Sequence, residues 1–284
     1  MRVLFCASEV APFEKTGGLA DVTGSLPLAL AKFGVETLIV MPKYRGITAA
    51  HKKISESVSV YFVPHEEYFN RAALYGNEKG DYPDNLQRFS FFCHETLAYA
   101  KRAGFQPDIL HAHDWQAALL PVLLKTKFKN DPFFAKTKSV FTIHNIAYQG
   151  LFPQKQFGLL GLDPSLFSVD GFEFYGKGSF MKAGLLFSDF LTTVSSTYAE
   201  EIKTKQFGFG LEGVVKKKEK SLRGILNGID TVLWDSAKDP RIPKTYSASS
   251  MDGKKVCKEA LQKQCGFEVN ENIPVFGMVT RLAA

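Results

Sequence analysis

The segment VLFCA at Val3–Ala7 is a short apolar run, and the segment EVAPFEKTGGLAD at Glu9–Asp21 follows it almost directly. An amphipathic pattern of helical length then runs over Leu19–Phe33 and ends at Gly34, where a helix commonly takes a left-handed residue. A buried strand, a glycine-containing turn and a helix, in that order, predict the first unit of a parallel α/β sheet.

The same alternation continues along the chain. Further strands are predicted at Val35–Met41, Val58–Val63, Ile109–Ala112, Ser139–Ile143, Phe190–Val194 and Leu222–Leu226. Helical patterns are predicted at Gln87–Arg102, Ala117–Lys127, Phe180–Phe187 and Tyr198–Lys203. Short apolar strands separated by helices predict a Rossmann-like parallel sheet with helices on both faces. Ligands of such sheets lie beyond the carboxyl ends of the strands, so residues that directly follow strands are the candidates for function.

Composition excludes several classes of protein. The chain has 284 residues, a formal charge of +6 and 45% hydrophobic residues, as is ordinary for a globular protein. Its four cysteines include no C-x-x-C pair, which indicates reduced thiols in a reducing, cytoplasmic compartment. We expect no secretory signal, because the start of the chain lacks the longer apolar stretch and the small-residue cleavage site that one needs. We expect no membrane span, because the chain has no run of about 18 apolar residues. The basic run at Lys216–Lys220 is typical of a solvated helix end, and no nucleic-acid-binding motif accompanies it.

The predicted domain organisation has three parts. Residues 1–240 form an amino-terminal domain, the polar residues 241–255 form a linker, and residues 256–284 begin a second domain. That second part contains a helical pattern at Val256–Cys265 and an apolar run at Pro274–Val279 that is predicted to be a strand. Because a lone strand cannot bury itself, we expect the second domain to continue beyond residue 284.

The first motif with chemical content is the turn after the first strand. Gly17 and Gly18 allow the backbone to approach a ligand closely, and the start of a helix favours an anion. Lys15 adds a positive charge beside the glycines. The spacing matches neither G-x-G-x-x-G nor a Walker A loop. The turn therefore predicts an anion site, with an ordinary surface turn and a solvated lysine as the alternative.

The second motif, HAHDWQ at His111–Gln116, directly follows a predicted strand. A His-x-His pair suits a metal, but the binuclear hydrolase pattern requires Asp and His where Trp115 and Gln116 stand. Asp114 can act as the cap of a helix that starts at Gln116. It can also line a ligand cleft, and the two roles are compatible.

The third motif, FTIHNIAYQG at Phe141–Gly150, also follows a predicted strand. A lone histidine is more often structural than catalytic. The pair His144-Asn145 at a strand end, beside a loop closed by glycine, makes a role in ligand binding an equal alternative.

These three segments resemble the K-T-G-G-L-A-D, H-A-H-D-W and T-x-H-N-x-A-Y-Q-G elements of bacterial glycogen synthases and plant starch synthases. Weaker similarity occurs at Thr193–Ile202, Leu226–Asp230 and Val279–Leu282. The resemblance extends from residue 2 to residue 282. Residues 49–87 and 238–255 match least, as is common for variable loops.

The resemblance implies the first domain of a two-domain, B-type glycosyltransferase fold. It also implies transfer of glucose from ADP-glucose to the non-reducing end of glycogen or another α-1,4-glucan, with retention of the anomeric configuration. No metal or cofactor and no nucleic-acid or membrane partner is implied. The family's later donor-site lysine and glutamate lie beyond residue 282, so we expect residues 1–284 alone to be inactive. Another nucleotide-sugar transferase, such as a sucrose-type synthase, and a silent glucan-binding module are the alternatives.

The resemblance also implies roles for individual residues. The predicted catalytic groups are Lys15, Asp21, Asp114 and His144. Donor phosphates are assigned to Lys15, Gly17, Gly18 and Arg281, the glucose to His144, Asn145 and Asn227, and the acceptor side of the cleft to Asp21 and Asp114. None of these groups is a strong nucleophile, which favours catalysis by positioning and electrostatics.

Overall fold

The computed structural model describes residues 1–279. Contacts between residues divide the chain into two compact units, and the division falls between Asn227 and Gly228. The predicted boundaries at residues 240 and 256 remain a prediction.

The strands of the first unit form one large sheet and two small ones. In chain order they are β1 (Arg2–Cys6), β2 (Glu36–Pro42), β3 (His51–Lys53), β4 (Val58–Val63), β5 (Gly76–Asn77), β6 (Gly80–Asp81), β7 (Ile109–His113), β8 (Lys138–Ile143), β9 (Leu151–Pro153), β10 (Glu173–Phe174), β11 (Lys177–Ser179), β12 (Phe190–Thr193) and β13 (Leu222–Gly224). The large sheet has eight strands in the order β13-β12-β8-β7-β1-β2-β4-β3. Seven of them are parallel, and only the edge strand β3 is antiparallel to its neighbour.

The α-helices connect these strands. They are α1 (Gly18–Ala31), α2 (Glu66–Phe69), α3 (Asn85–Arg102), α4 (Asp114–Ala117), α5 (Leu119–Lys125), α6 (Phe180–Phe187), α7 (Ser196–Glu201) and α8 (Glu212–Lys217), with α9 (Asp252–Gln264) in the second unit. Short 3-10 helices lie at Gln154–Leu160, Pro164–Leu166 and Glu219–Ser221. None of the helices within residues 1–279 is long and apolar enough to cross a membrane.

Both faces of the large sheet are covered. Successive side chains of a strand point to opposite faces, and the consecutive β1 residues Leu4, Phe5 and Cys6 are all fully buried. The predicted parallel sheet with helices on both faces is therefore confirmed. All seven predicted strands of the first unit are present within three residues of their predicted ends, and Gly34 has the expected left-handed φ of 76°.

The strand order reverses beside β1, and this reversal positions the site. From β1 the chain proceeds to β2 and β4 on one side, and then returns to add β7, β8, β12 and β13 on the other. The crevice outside the carboxyl ends of the two strands at such a switch point is where ligands bind in doubly wound folds. The segments that leave β1 and β7 therefore flank the expected ligand crevice.

The second unit contains α9, which confirms the predicted helix but begins at Asp252, four residues before the predicted start. The predicted strand at residues 274–279 is wrong, because these residues have no regular secondary structure. A strand requires a partner for its backbone hydrogen bonds, and the described residues 228–279 contain no other strand. An apolar run alone could not create that partner.

Candidate active site

The loop after β1 is shaped by a buried carboxylate. Glu9 is only 3% exposed, and its Oε2 accepts a hydrogen bond of 2.5 Å from the backbone N of Thr16. Its Oε1 accepts a second one, of 2.7 Å, from Thr16 Oγ1. Gly17 is extended and precedes the first turn of α1, and a Cβ added at Gly18 would meet no atom within 4 Å. The helix start is therefore open, as an anion site requires.

Lys15 and Asp21 form an ion pair at this loop. Lys15 Nζ lies 2.6 Å from Asp21 Oδ1, and the two side chains are 50% and 54% exposed. Solvent screens such a pair, which contributes little to stability. The predicted phosphate-binding lysine and the predicted acceptor-side aspartate are thus in contact, and the ammonium group can exchange Asp21 for a stronger anion.

Asp114 connects the ends of two neighbouring strands. Its Oδ1 accepts hydrogen bonds from the backbone N of His144, at 2.7 Å, and of Asn145, at 3.4 Å. The alternative that Asp114 caps the next helix is wrong, because α4 starts at Asp114 itself and the cap position is His113, with no side-chain cap. The φ of 54° at Asp114 lies in the left-handed region, which aspartate tolerates better than most residues.

Burial shifts the pKa values of Asp114 and His144. It raises the pKa of Asp114 to about 7, although the hydrogen bonds from His144 and Asn145 oppose the rise. It lowers the pKa of His144 to about 4. At neutral pH the imidazole of His144 is neutral, and the carboxyl group of Asp114, which accepts from the His144 backbone, is close to its midpoint of ionisation.

A second histidine fixes the ring of His144. His113 is fully buried, and its Nδ1 lies 2.9 Å from Nε2 of His144, within hydrogen-bond distance. On the same face of β7, His111 packs against His113 with 4.2 Å between ring centroids, and its Nε2 lies 2.6 Å from Thr142 Oγ1. Burial lowers the pKa of His111 to about 3 and that of His113 below its usual range. Within residues 1–279, no three His, Cys, Asp or Glu side chains come together as metal ligands.

A cavity of about 480 Å³ opens in the first unit, and sequence reasoning did not predict it. One wall is formed by residues 81–86 and the other by residues 147–156, with Trp115 and Phe180 between them. Gly150 has a φ of 60°, and a Cβ there would lie 2.4 Å from Trp115 Cε3. The glycine that closes the third motif therefore allows the loop to pack directly on the indole ring.

The remaining predicted residues are less tightly placed. Asn145 is exposed, and its Oδ1 accepts a hydrogen bond of 3.0 Å from the backbone N of Ala147, so the amide supports its own turn. Asn227 is exposed beyond the edge strand β13, and no hydrogen bond within residues 1–279 connects it to Lys15 or His144. Arg281 lies outside the described residues.

Two further residues of the site carried no assignment from the sequence. Glu9 belongs to the first motif, but nothing in the sequence indicates that it holds Thr16. Tyr75 lies in the poorly matched stretch 49–87, and its hydroxyl lies 2.6 Å from Glu9 Oε1. The one local signal that could have indicated this contact is an acid within an otherwise mostly apolar stretch, between Val3–Ala7 and Val10.

Comparison with known proteins shows the family of the chain. The family model for the starch synthase catalytic domain matches residues 2–217. The chain belongs to the starch synthase catalytic domain family. Glycogen synthase 2 of Geobacter sulfurreducens is 46% identical over 307 residues, and glycogen synthase of Syntrophotalea carbinolica is 44% identical over 308. Both alignments cover 100% of this chain, which spans 63% and 64% of the two relatives.

The same family membership is visible in three dimensions. The catalytic domain of starch synthase IV from Arabidopsis thaliana, solved bound to ADP and acarbose, is 31% identical and superimposes with a TM-score of 0.84. The match covers 96% of this chain and 60% of that structure. The predicted B-type glycosyltransferase fold of this family member is thereby confirmed for the first unit.

Proposed function

We propose that this chain carries the acceptor half and part of the donor site of a glycogen synthase. The reaction is transfer of glucose from ADP-glucose to the non-reducing end of an α-1,4-glucan, with retention of configuration. Support comes from the two glycogen synthases that match the whole chain and from the solved relative whose bound molecules are ADP and acarbose.

The observation that carries the proposal is the arrangement around the switch point. β1, β7 and β8 are adjacent, and their carboxyl ends lead into the Lys15 loop, Asp114 and His144 respectively. A cation at an open helix start, a neutral imidazole and a buried carboxyl group thus follow three neighbouring strands. This set suits a reaction in which a diphosphate departs while positive charge develops on a sugar.

On the donor side, the diphosphate of the nucleotide sugar is a dianion, and it gains a further negative charge that needs compensation when the bond to the sugar breaks. We assign this role to Lys15 and to the backbone amides of Gly17 and Gly18, with Arg281 as a further cation. The helix start adds its partial positive charge at the same place. Asp21 holds the ammonium group of Lys15 until the diphosphate replaces it as the partner.

On the sugar side, His144, Asn145 and Asn227 hold the glucose hydroxyls. His144 acts as a neutral hydrogen-bonding group, because burial keeps its pKa near 4. Asp114 places partial negative charge near the sugar and orients the His144 backbone through the 2.7 Å bond. The glucan acceptor enters through the cavity beside Trp115, where an apolar sugar face can stack on the exposed ring of Tyr148.

The test is incorporation of labelled glucose into glycogen by the protein at its natural length, with ADP-glucose and UDP-glucose compared as donors. We expect incorporation from ADP-glucose, with all label released by a glucan-specific hydrolase. Transfer to a monosaccharide acceptor instead of glycogen would favour a sucrose-type synthase. Glycogen binding without transfer would favour a glucan-binding module.

A further inference from the structure

The cavity and the loop after β1 are connected through Tyr75. The carbonyl oxygen of Tyr75 accepts hydrogen bonds from the backbone N of Tyr82, at 2.9 Å, and from Asn85 Nδ2, at 2.8 Å. Tyr82 and Asn85 both line the cavity. The backbone of Tyr75 is therefore held by the cavity wall.

The side chain of Tyr75 contacts the loop that follows β1. Its hydroxyl donates to Glu9 Oε1 at 2.6 Å and lies 2.7 Å from Ser8 Oγ. A phenol has one proton, and the Glu9 carboxylate can only accept, so Ser8 is the donor in the second contact. Burial raises the pKa of Tyr75 well above its usual value, so the phenol keeps this proton.

Glu9 completes the connection, because the same Oε1 accepts from Thr16 Oγ1 and the second carboxylate oxygen accepts from the Thr16 backbone. The chain of contacts runs from the cavity wall through Tyr75 and Glu9 to the residue between Lys15 and Gly17. Every step is a hydrogen bond of 2.9 Å or less. The three bonds to Glu9 involve a buried carboxylate, for which a lost partner is costly.

Arg88 also holds the segment that carries Tyr75. Arg88 is fully buried, and its guanidinium donates to the carbonyl oxygens of Tyr68 and Leu74 and to Asn85 Oδ1. The segment is therefore bonded to Arg88 through Leu74 and Asn85, and to the cavity wall at Tyr82 and Asn85 through Tyr75.

We propose that the Tyr75–Glu9 contact couples the two substrate sites, so that a glucan in the cavity raises the affinity of the Lys15 loop for the donor diphosphate. Tyr75 is a positioning residue in this scheme, since it contacts neither ligand. The inference rests on the proposed function, which places the acceptor in the cavity and the diphosphate on the loop.

The physical basis is shared ordering. A ligand that fixes the cavity wall also fixes Tyr75, Glu9 and Thr16, so the loop amides are already ordered when the second ligand binds. The second ligand then loses less conformational entropy on binding. Coupling between two binding equilibria is reciprocal, so the diphosphate must raise glucan affinity by the same factor.

The experiment measures this factor directly. ADP is titrated by calorimetry into the protein at its natural length, without and with saturating maltoheptaose, and the reverse titration is made with saturating ADP. For the unmodified protein we expect each ligand to raise the affinity for the other by about 5-fold or more, the lower end of typical coupling. For Tyr75→Phe, which keeps the ring and removes the hydroxyl, we expect a factor below about 2 with each ligand still bound.

Tyr61→Phe is the matched control. The Tyr61 hydroxyl also donates to a glutamate, Glu95 Oε1 at 3.2 Å, but neither residue belongs to the cavity or to the loop. This variant should keep the full coupling factor. Thr16→Val removes the side-chain bond to Glu9 Oε1 and keeps the backbone bond to Oε2, so it should reduce the coupling factor below that of the unmodified protein, and it serves if the Tyr75 variant does not fold.

The outcomes separate this inference from the proposed function. If both ligands bind the unmodified protein independently, or if Tyr75→Phe and Thr16→Val keep full coupling, the inference is wrong and the proposed function stands. If neither ADP nor maltoheptaose binds the unmodified protein, both are wrong.

Discussion

Lys15 and Asp114 both follow strands at the switch point, but their surroundings are opposite. Lys15 is half exposed and is paired only with a half-exposed aspartate. Asp114 is 8% exposed and is held by backbone amides from the neighbouring strand end. The lysine can change its partner at little cost, whereas the aspartate cannot move without breaking bonds to the strand end at His144.

This difference indicates two ways of using charge. An exposed ion pair is screened by water, so its energy becomes substantial only when a ligand excludes the water. A buried, oriented group acts at its full strength throughout the reaction and needs no rearrangement. We therefore expect Lys15 to contribute mainly to donor binding and departure, and Asp114 to turnover.

The largest effect is expected for Asp114→Asn. Asparagine tolerates a φ of 54° and its Oδ1 can still accept from the His144 backbone, so the geometry should remain. The negative charge is lost, and turnover should fall by about 10²- to 10³-fold, as for other preorganised electrostatic groups. The measurement is kcat for glucose transfer by the protein at its natural length.

The thermal stability of Asp114→Asn tests the contrast between Asp114 and Lys15. At neutral pH, Asp114→Asn should unfold no earlier than the unmodified protein, because a costly buried charge has been removed. A normal kcat with a lowered Tm would show that Asp114 is structural and would remove the proposed contrast with Lys15.

Lys15→Gln is expected to have the next largest effect. Loss of one cation at the departing diphosphate should lower kcat/KM for ADP-glucose by about 10²-fold. Glycogen affinity should remain within about 2-fold, because the acceptor is neutral and lies away from the loop. Steady-state kinetics with each substrate varied in turn would measure both quantities.

Lys101→Gln is the matched control for Lys15→Gln. Lys101 Nζ also lies 2.6 Å from an aspartate oxygen, that of Asp131, and its side chain is 43% exposed, but it is on α3. Both substitutions should change the stability by less than about 0.5 kcal/mol, and only Lys15→Gln should change donor kinetics. Unchanged donor kinetics for Lys15→Gln would place the diphosphate elsewhere.

The same two regions show what sequence could and could not predict. The parallel strands were predictable because strands buried on both faces contain continuous apolar runs, as in β1 and β2. The edge strand β3, with the sequence His51-Lys52-Lys53, has no such signal and was missed. The apolar run at residues 274–279 had the signal but has no partner strand within residues 228–279, so it was wrongly predicted.

The candidate site could be proposed from sequence only where its chemistry is local. Lys15, Gly17 and Gly18 were proposed because a turn and a helix start are adjacent in sequence. The bond from Asp114 to the His144 backbone spans 30 residues, so the motif suggested a local cap instead. The cavity wall at residues 81–86 lies in a stretch that seemed a variable loop, because its aromatic and polar residues form no periodic pattern.

The smallest expected effect is a pH dependence that belongs to Asp114 alone. Burial raises the pKa of this carboxyl group from its ordinary 3.8 to about 7, so the folded state binds the proton more tightly than the unfolded state does. Stability from this group is therefore present below about pH 4, falls as the pH rises toward 7, and stays low above it. The asparagine of the Asp114→Asn variant does not titrate, so the stability of the variant does not fall with pH for this reason.

The difference in Tm between Asp114→Asn and the unmodified protein should consequently grow with pH. Between pH 5 and pH 8 we expect it to shift by about 5–10 °C in favour of the variant, because the two pH units between pH 5 and the pKa of about 7 correspond to roughly 2.7 kcal/mol for a unit of this size. The neighbouring His111 and His144, whose pKa values burial lowers to about 3 and about 4, are present in both proteins and cancel to first order in the difference.

Lys15→Gln is the control for this pH dependence. Because the charge of Lys15 is exposed and paired at the surface, the difference in Tm between Lys15→Gln and the unmodified protein should stay constant over the same pH range. Calorimetric scans at pH 5, 6, 7 and 8 test this. A difference that is constant or shrinks with pH would mean that Asp114 ionises as an exposed carboxylate does, and that the contrast between a screened lysine and a buried aspartate is wrong.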